Sequence, residues 1–322
     1  MHDAPVTLAA FTPHDLEPAV KLLRRCLPLE NVTVEQFARR VLLDPNFDRG
    51  GAIVARSRGG EIVGFVLAMA MKDPSAEAPE KGGRGYITLF AAAPDARGQG
   101  VGGSLLSAAE TWLAERGCSS VWISPYAPGY WTPGIDEAAY PEAVAWLHKR
   151  GYATVSRPLS MAVDLDTEWG FSDTAASIYA RLSGAGVSTA PFTPANVRPI
   201  LDFLTTEFSE DWVHTARETM KDILAGYRPA DAIWAAMRGE KCIGFAQFAG
   251  ERFGPIGVAA SERGRGVGTA LMVRVLQTMR QSGCSRAFFL WTSDATAEKL
   301  YRPAGFAEAR RFQIMKKQLG PA

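Results

Sequence analysis

Two stretches of this chain set glycine and arginine at a spacing that suits a phosphate. Arg97-Gly98-Gln99-Gly100-Val101-Gly102 and Arg263-Gly264-Arg265-Gly266-Val267-Gly268 each follow a strand-like run and open an apolar-periodic helix. A turn of glycines before a helix points unpaired backbone N–H groups outward, and the helix dipole adds partial positive charge. Together they make a cradle for a phosphate or pyrophosphate. Glycine is required because a side chain blocks close approach and because positive φ is tolerated there. The second copy also holds Tyr301, a phenol, and Glu251, a carboxylate. Glu207, Glu210 and Asp211, beside Trp212, are further acids that suit a cationic amine, although solvated charges at a helix end are the plainer reading.

The elements that must hold these groups come twice. Val6 to Pro13 returns as Val187 to Pro194, Ala52 to Phe65 as Ala232 to Phe245, and Arg97 to Cys118 as Arg263 to Cys284. Arg150-Gly151-Tyr152 returns as Ala304-Gly305-Phe306. The chain therefore reads as a tandem duplication, with domains at 1–168 and 169–322 and a linker at about 167–186. The first copy carries extra residues at 72–84, polar and rich in Gly and Pro, and again at Pro125–Asp136. The second insert is too aromatic for a solvated linker; it closes over a ligand or, the preferred reading, plugs an unused acceptor cleft. In the second copy, Val197, Ile200, Leu201, Leu204 and Phe208 predict one helix and Trp212 to Leu224 another. A hairpin spans Ala232–Phe248, a strand covers Pro255–Ala259, and a helix with apolar Val267, Leu271, Met272, Val275 and Met279 stops at Gly283. Strand, short helix and strand follow at Arg286–Trp291, Ala295–Tyr301 and Arg311–Met315. The fold class is α/β, a mixed sheet with helices packed on it.

Neither cradle has the Lys-Ser/Thr of a nucleotide P-loop. Gly98, Gly100 and Gly103 spell a dinucleotide fingerprint, but three strands precede it, no acid lies in Ser119–Ser124, and the second copy has Thr269 at the third position. The remaining pattern, Arg-x-x-Gly-x-Gly, resembles the acetyl-CoA motif of the GCN5-related N-acetyltransferases (GNAT). Asp294, Ala297, Leu300, Tyr301, Gly305 and Phe306 are similar to that family's Asn-x-x-Ala-x-x-Leu-Tyr-x-x-x-Gly-Phe segment, with Asp294 for Asn as a departure bearing on local capping. The resemblance covers roughly 6–166 and 187–318.

It implies two tandem GNAT domains whose fourth and fifth strands splay apart around the pantetheine of acetyl-CoA, the co-substrate. Val258 and Ala260 would hold the pantetheine, and Arg263, Gly264, Arg265, Gly266, Val267, Gly268 and Thr269 the pyrophosphate. Ala92, Arg97, Gly98, Gln99, Gly100, Val101 and Gly102 occupy the same positions in the first copy. The implied chemistry is direct attack of a primary amine of a small molecule on the thioester, with Tyr301 as acid. Glu251 stands near where some members carry a glutamate base, and a one-residue register change turns it outward. In the first copy Leu147 lies opposite Tyr301, so that half is expected to be degenerate, and His148 reads as a surface residue. A mycothiol-synthase-like acetyltransferase and a non-catalytic acyl-CoA sensor are the alternatives.

Composition bounds the setting. Lys+Arg 35 against Asp+Glu 34 gives a net charge of +1, which argues against a nucleic-acid or membrane-surface partner. No apolar run reaches the ~20 residues of a membrane span, and the amino terminus lacks a secretory pattern. Cys26, Cys118, Cys242 and Cys284 have no metal-ligand spacing and His2, His14, His148 and His214 are scattered, so no metal is expected. A cytoplasmic monomer or homodimer is the expectation.

Overall fold

The structure is a computed structural model that describes residues 6–71, 83–126, 129–166 and 172–320. The insert predicted at 72–84 up to residue 82, Ala127 and Pro128 of the second insert, and linker residues 167–171 lie outside these. The chain divides into two compact units, Met1–Pro158 with Phe312–Ala322, and Leu159–Arg311.

The first unit runs β1 (Val6–Ala10), α1 (Leu16–Cys26), α2 (Val34–Phe37), β2 (Ala52–Ser57), β3 (Ile62–Ala70), β4 (Gly83–Ala92), α3 (Val101–Ala114), β5 (Cys118–Ile123), β6 (Ile135–Asp136), α4 (Pro141–His148) and β7 (Ala153–Ser156). The second runs β8 (Leu159–Asp164), α5 (Ser172–Gly184), β9 (Val187–Pro191), α6 (Val197–Glu207), α7 (Glu210–Leu224), β10 (Ile233–Arg238), β11 (Lys241–Ala249), β12 (Arg252–Val258), α8 (Val267–Gln281), β13 (Arg286–Thr292) and the single turn α9 (Asp294–Thr296). β14 (Ala307–Gln318) ends the described chain. In each unit four antiparallel strands, β1 to β4 or β9 to β12, lead to a parallel partner, β5 or β13. The fold is mixed α/β, as the patterning predicts.

The helices form where the apolar stripes fall. α1 buries Ala19, Val20, Leu22, Leu23 and Cys26, and α8 buries Val267, Ala270, Leu271, Val275, Leu276 and Met279. Both repeats start their first helix with the same device. Thr12 N–H and Oγ1 donate to Asp15 Oδ2 at 2.8 Å each, and Thr193 N–H donates to Asn196 Oδ1 at 3.0 Å. In the second unit the sheet is covered on both faces. One core packs Phe253, Phe289, Tyr301 and Phe306 with α8; the other packs Phe192, Phe203, Ile233 and Phe245 with α6 and α7.

The units do not part at 168/169, where the repeat places the boundary. β8, from the end of the first repeat, pairs with β13 (Phe289↔Met161, Ala287↔Val163) and completes the second unit's sheet. The later half of β14 pairs with β5 (Met315↔Ile123 to Gln318↔Ser120) and completes the first. β8 and the end of β14 occupy equivalent places in the two repeats, so each fits the edge that the other leaves open. Among the described residues no helix is long and apolar enough to cross a membrane.

Candidate functional site

In the second unit β12 and β13 pair at a single register, Arg252↔Phe288, and β12 then continues to Val258 without β13. The strand bulges at this point: Ala246↔Ile256 and Phe248↔Phe253 leave Gly254 and Pro255 opposite Gln247 alone. The result is a cleft between two parallel strands. β12 runs into a 3-10 turn, Ala260–Glu262, and then into the glycine segment.

Gly264 and Gly266 have φ of 77° and 87°, the left-handed region that favours glycine. Gly266 is the N-cap of α8 and provides no side-chain cap, so the helix opens with donors available for an anion. Arg265 lies 3.6 Å from Glu262, which also pairs with Arg238 at 2.9 Å. Arg263 Nε donates to the Val258 carbonyl at 3.4 Å. The Ala260 N–H, expected to face pantetheine, donates to Glu207 Oε2 at 3.0 Å. The predicted residues Val258, Ala260, Arg263 to Gly268 and Thr269 thus form one strand–turn–helix corner.

Two features of this corner were not legible as motifs. Arg181 of α5 reaches over it: its Nη2 donates to the Arg265 carbonyl at 3.1 Å and lies 2.7 Å from where a Gly266 Cβ would sit. The helix carrying it is fixed by Tyr179, whose hydroxyl donates to the Ala270 carbonyl at 2.9 Å and whose ring lies 4.3 Å from the Arg274 guanidinium. Phe208 packs on the bare backbone of Gly257, where a Cβ would meet its ring at 2.2 Å, and stacks on Trp212 with centroids 4.3 Å apart. Glu210 and Asp211 stand in the first turn of α7, where acids favour the helix dipole.

Tyr301 comes from the turn after α9 and is 7% exposed. Its ring lies 4.3 Å from Phe289, 5.6 Å from Phe306 and 6.4 Å from Phe253, the residue after the last β12–β13 pair. The ring therefore packs against both strands near the vertex of the cleft. Leu300, its neighbour, lies 4.0 Å from the Cβ position of Gly268, which ties this turn to the cradle. No hydrogen-bond partner of the Tyr301 hydroxyl is found among the described residues, and burial holds its pKa above the ordinary tyrosine value.

Glu251 is not brought to this cleft. It sits exposed in the β11–β12 turn, where the Ser285 hydroxyl donates to it at 3.4 Å, and no contact among the described residues joins it to Tyr301 or the glycine turn. The hairpin turns one residue later than a β12-borne base requires. Asp294 does not cap its turn either: Ser293 Oγ accepts from Thr296 N–H, and Asp294 makes a two-pronged pair with Arg311 at 2.9 and 3.1 Å.

The first unit repeats the corner with different contents. β4 and β5 pair from Gly83↔Cys118 to Ile87↔Ile123 and then separate, and Gly98 and Gly100 have φ of 75° and 85°. Gly100 caps α3 without a side-chain bond, while Gln99 Nε2 donates to the Asp95 carbonyl at 2.9 Å. Ala92 offers its carbonyl to Cys26 Sγ at 3.4 Å. Leu147 is buried where the second unit has Tyr301, and Trp146 stacks on Phe90 at 5.7 Å beside Gly102. The aromatic insert is packed into this unit. Tyr126, 2% exposed, donates to Asp44 at 2.7 Å and accepts from Asn46 at 2.9 Å, and buried Trp131 lies 4.8 Å from the Arg40 guanidinium. His148 is exposed, with Nδ1 3.0 Å from the Tyr152 carbonyl.

The profile of the acetyltransferase (GNAT) family matches residues 16–130 and 197–306. Among solved structures, the GCN5-related glucosamine N-acetyltransferase region of a fungal multi-domain GH3 β-N-acetylglucosaminidase is similar over 97% of this chain at 18% identity, with a TM-score of 0.78. This chain covers 38% of that one. A GCN5-related N-acetyltransferase from Sphaerobacter thermophilus is 19% identical with a TM-score of 0.69, covering 99% of this chain and 96% of that one. A tandem GNAT protein from the clavulanic acid biosynthesis pathway is 14% identical with a TM-score of 0.65, covering 98% and 99%. No curated protein sequence matches the chain.

Proposed function

The chain belongs to the acetyltransferase (GNAT) family, and on that premise we propose that its second unit transfers the acetyl group of acetyl-CoA to a primary amine of a small molecule. The observation that carries the reading is Tyr301 near the vertex of the β12–β13 cleft, next to a glycine-started helix, with Leu147 in its place in the first unit. The uncapped start of α8 and the Arg181 guanidinium suit the pyrophosphate of the co-substrate. In the reaction the amine nitrogen forms a bond to the acetyl carbon, the carbon–sulfur bond breaks, and the amine gives up one proton to solvent, which returns one to the Tyr301 phenol after it has protonated the thiolate. The departing thiolate takes a proton from the Tyr301 phenol. The acceptor approaches from the side of α6 and α7, over Phe208 and Trp212.

In the same reading the first unit is a non-catalytic domain, with Phe90 and Trp146 stacked beside Gly102 and Leu147 in place of a phenol. Thiol release from acetyl-CoA, measured against an amine panel of glucosamine, spermidine, an alanyl peptide and a cysteinyl glycoside with an amine-free blank, tests the function. Glucosamine heads the panel because of the fungal neighbour's activity, and the cysteinyl glycoside covers the mycothiol-synthase-like alternative. Thiol release no faster than the blank for every amine, with acetyl-CoA bound, favours a sensor.

A further inference from the structure

Gln247 lies on β11, paired across to Ile233 of β10 and set opposite the Gly254–Pro255 bulge of β12. It is 4% exposed, yet among the described residues its Oε1 has no hydrogen-bond partner. Side chains alternate along a strand. Ala246 and Phe248 pack into the core beneath α8, while Phe245 and Ile233 pack beneath α6 and α7. Gln247 therefore points to the α6–α7 face, the face from which Phe208 covers Gly257. The bulge opposite it is also where β12 leaves β13. Tyr301 packs with the core on the other face of the sheet, and Gln247 lies one strand in from the β12–β13 cleft, opposite the bulge.

Burying an amide without a partner is costly, and native structures rarely leave one so. Resting on the acetyltransferase reading, we propose that Gln247 is a positioning residue for the acceptor: its Oε1 accepts a hydrogen bond from the amine N–H and turns the nitrogen lone pair toward the thioester carbonyl. The amide neither takes nor gives a proton, so its part is orientation. The ligand class it selects is an uncharged primary amine narrow enough to reach the bulge between Phe208 and β12.

The test compares wild type with Gln247→Met, of similar volume and without the amide, and Gln247→Glu, which keeps an acceptor oxygen at the same reach. The amine is whichever of the panel turns over fastest. The Met variant should lose about 10- to 100-fold in kcat/KM for the amine, with the KM for acetyl-CoA within two-fold and the Glu variant recovering part of the loss. Its Tm should equal or exceed that of wild type, because replacing an unsatisfied buried amide by an apolar group of the same shape is neutral or stabilising. Wild-type kcat/KM in the Met variant overturns the proposal, as does a fall in its Tm of more than a few degrees. Failure of the wild type on every amine strikes at the acetyltransferase reading itself and is seen before any variant is compared.

Discussion

A buried phenol with a raised pKa is a weak acid in water, but in the proposed reaction the thiolate it would protonate forms in the same buried surroundings. Desolvation raises both, and proton transfer between them stays near balance. Tyr301→Phe should therefore lower kcat by about 10²- to 10⁴-fold while leaving the KM for acetyl-CoA nearly unchanged, as steady-state rates will show. Since its pKa lies above the ordinary value, Tyr301 stays protonated through pH 10, and kcat in wild type should show no alkaline fall below that point. In the proposed function Arg181 belongs to an earlier step, binding. Arg181→Ala should weaken acetyl-CoA affinity by about 3- to 30-fold, and the difference should shrink at high salt because the guanidinium is exposed. Isothermal titration at two ionic strengths measures this. The placement of Tyr301 on a turn after β13 and of the glycines at the start of α8 was legible in sequence because their spacing is local. Arg181 was not, since a residue on a connecting helix gains its role from where that helix docks. Glu251 was misplaced because the hairpin turns at Gly250, with φ of 56°, and a turn shifted by one residue moves a side chain out of the strand.

At the scale of elements the two repeats differ where one titrates and the other does not. Burial pushes the Asp15 carboxyl up, but hydrogen bonds from Arg56 and Thr12 outweigh it and hold the pKa below the usual aspartate value. A depressed carboxylate stabilises the fold above its unfolded pKa near 4, and that stability is lost as pH falls through the folded value. Below about pH 4 the start of α1 should loosen, whereas α6, capped by Asn196, should not respond; hydrogen exchange of the two helices checks this. Asp15→Asn should flatten the acid response. The cradle helices differ as well. Gly266→Val places a branched side chain at φ 87° and against Arg181, and should abolish turnover. Gly100→Val, at φ 85° with open space around it, should leave turnover largely intact and show its cost in Tm. The elements themselves were readable because apolar periodicity and the duplication agree. The length of β14 was not: its first residues are exposed and polar, and only a partner strand distant in sequence makes them β.

For the molecule as a whole, acetyl-CoA should raise Tm, since a ligand bound only to the native state adds stability in proportion to RT ln(1 + [L]/Kd). The same shift with NAD would contradict the assignment. A chain ended after Arg311 should damage the first unit, although the missing residues follow the second in sequence. Lys317 Nζ reaches Glu110 at 2.8 Å, Gln313 donates to Glu137 at 2.9 Å, and Thr154 donates to Gln313 at 2.6 Å, all within that unit. On the ribosome this arrangement imposes a wait. When Pro158 has been made, β5 faces solvent along an edge whose strand has not been translated, and residues 159–311 must come first. At roughly 5–20 residues per second the delay is about eight to thirty seconds, during which β8 is the nearest substitute for the missing strand. Should β8 take that edge in the interim, the newborn first half must later surrender it, and the speed of synthesis over the second half sets how long the exchange waits.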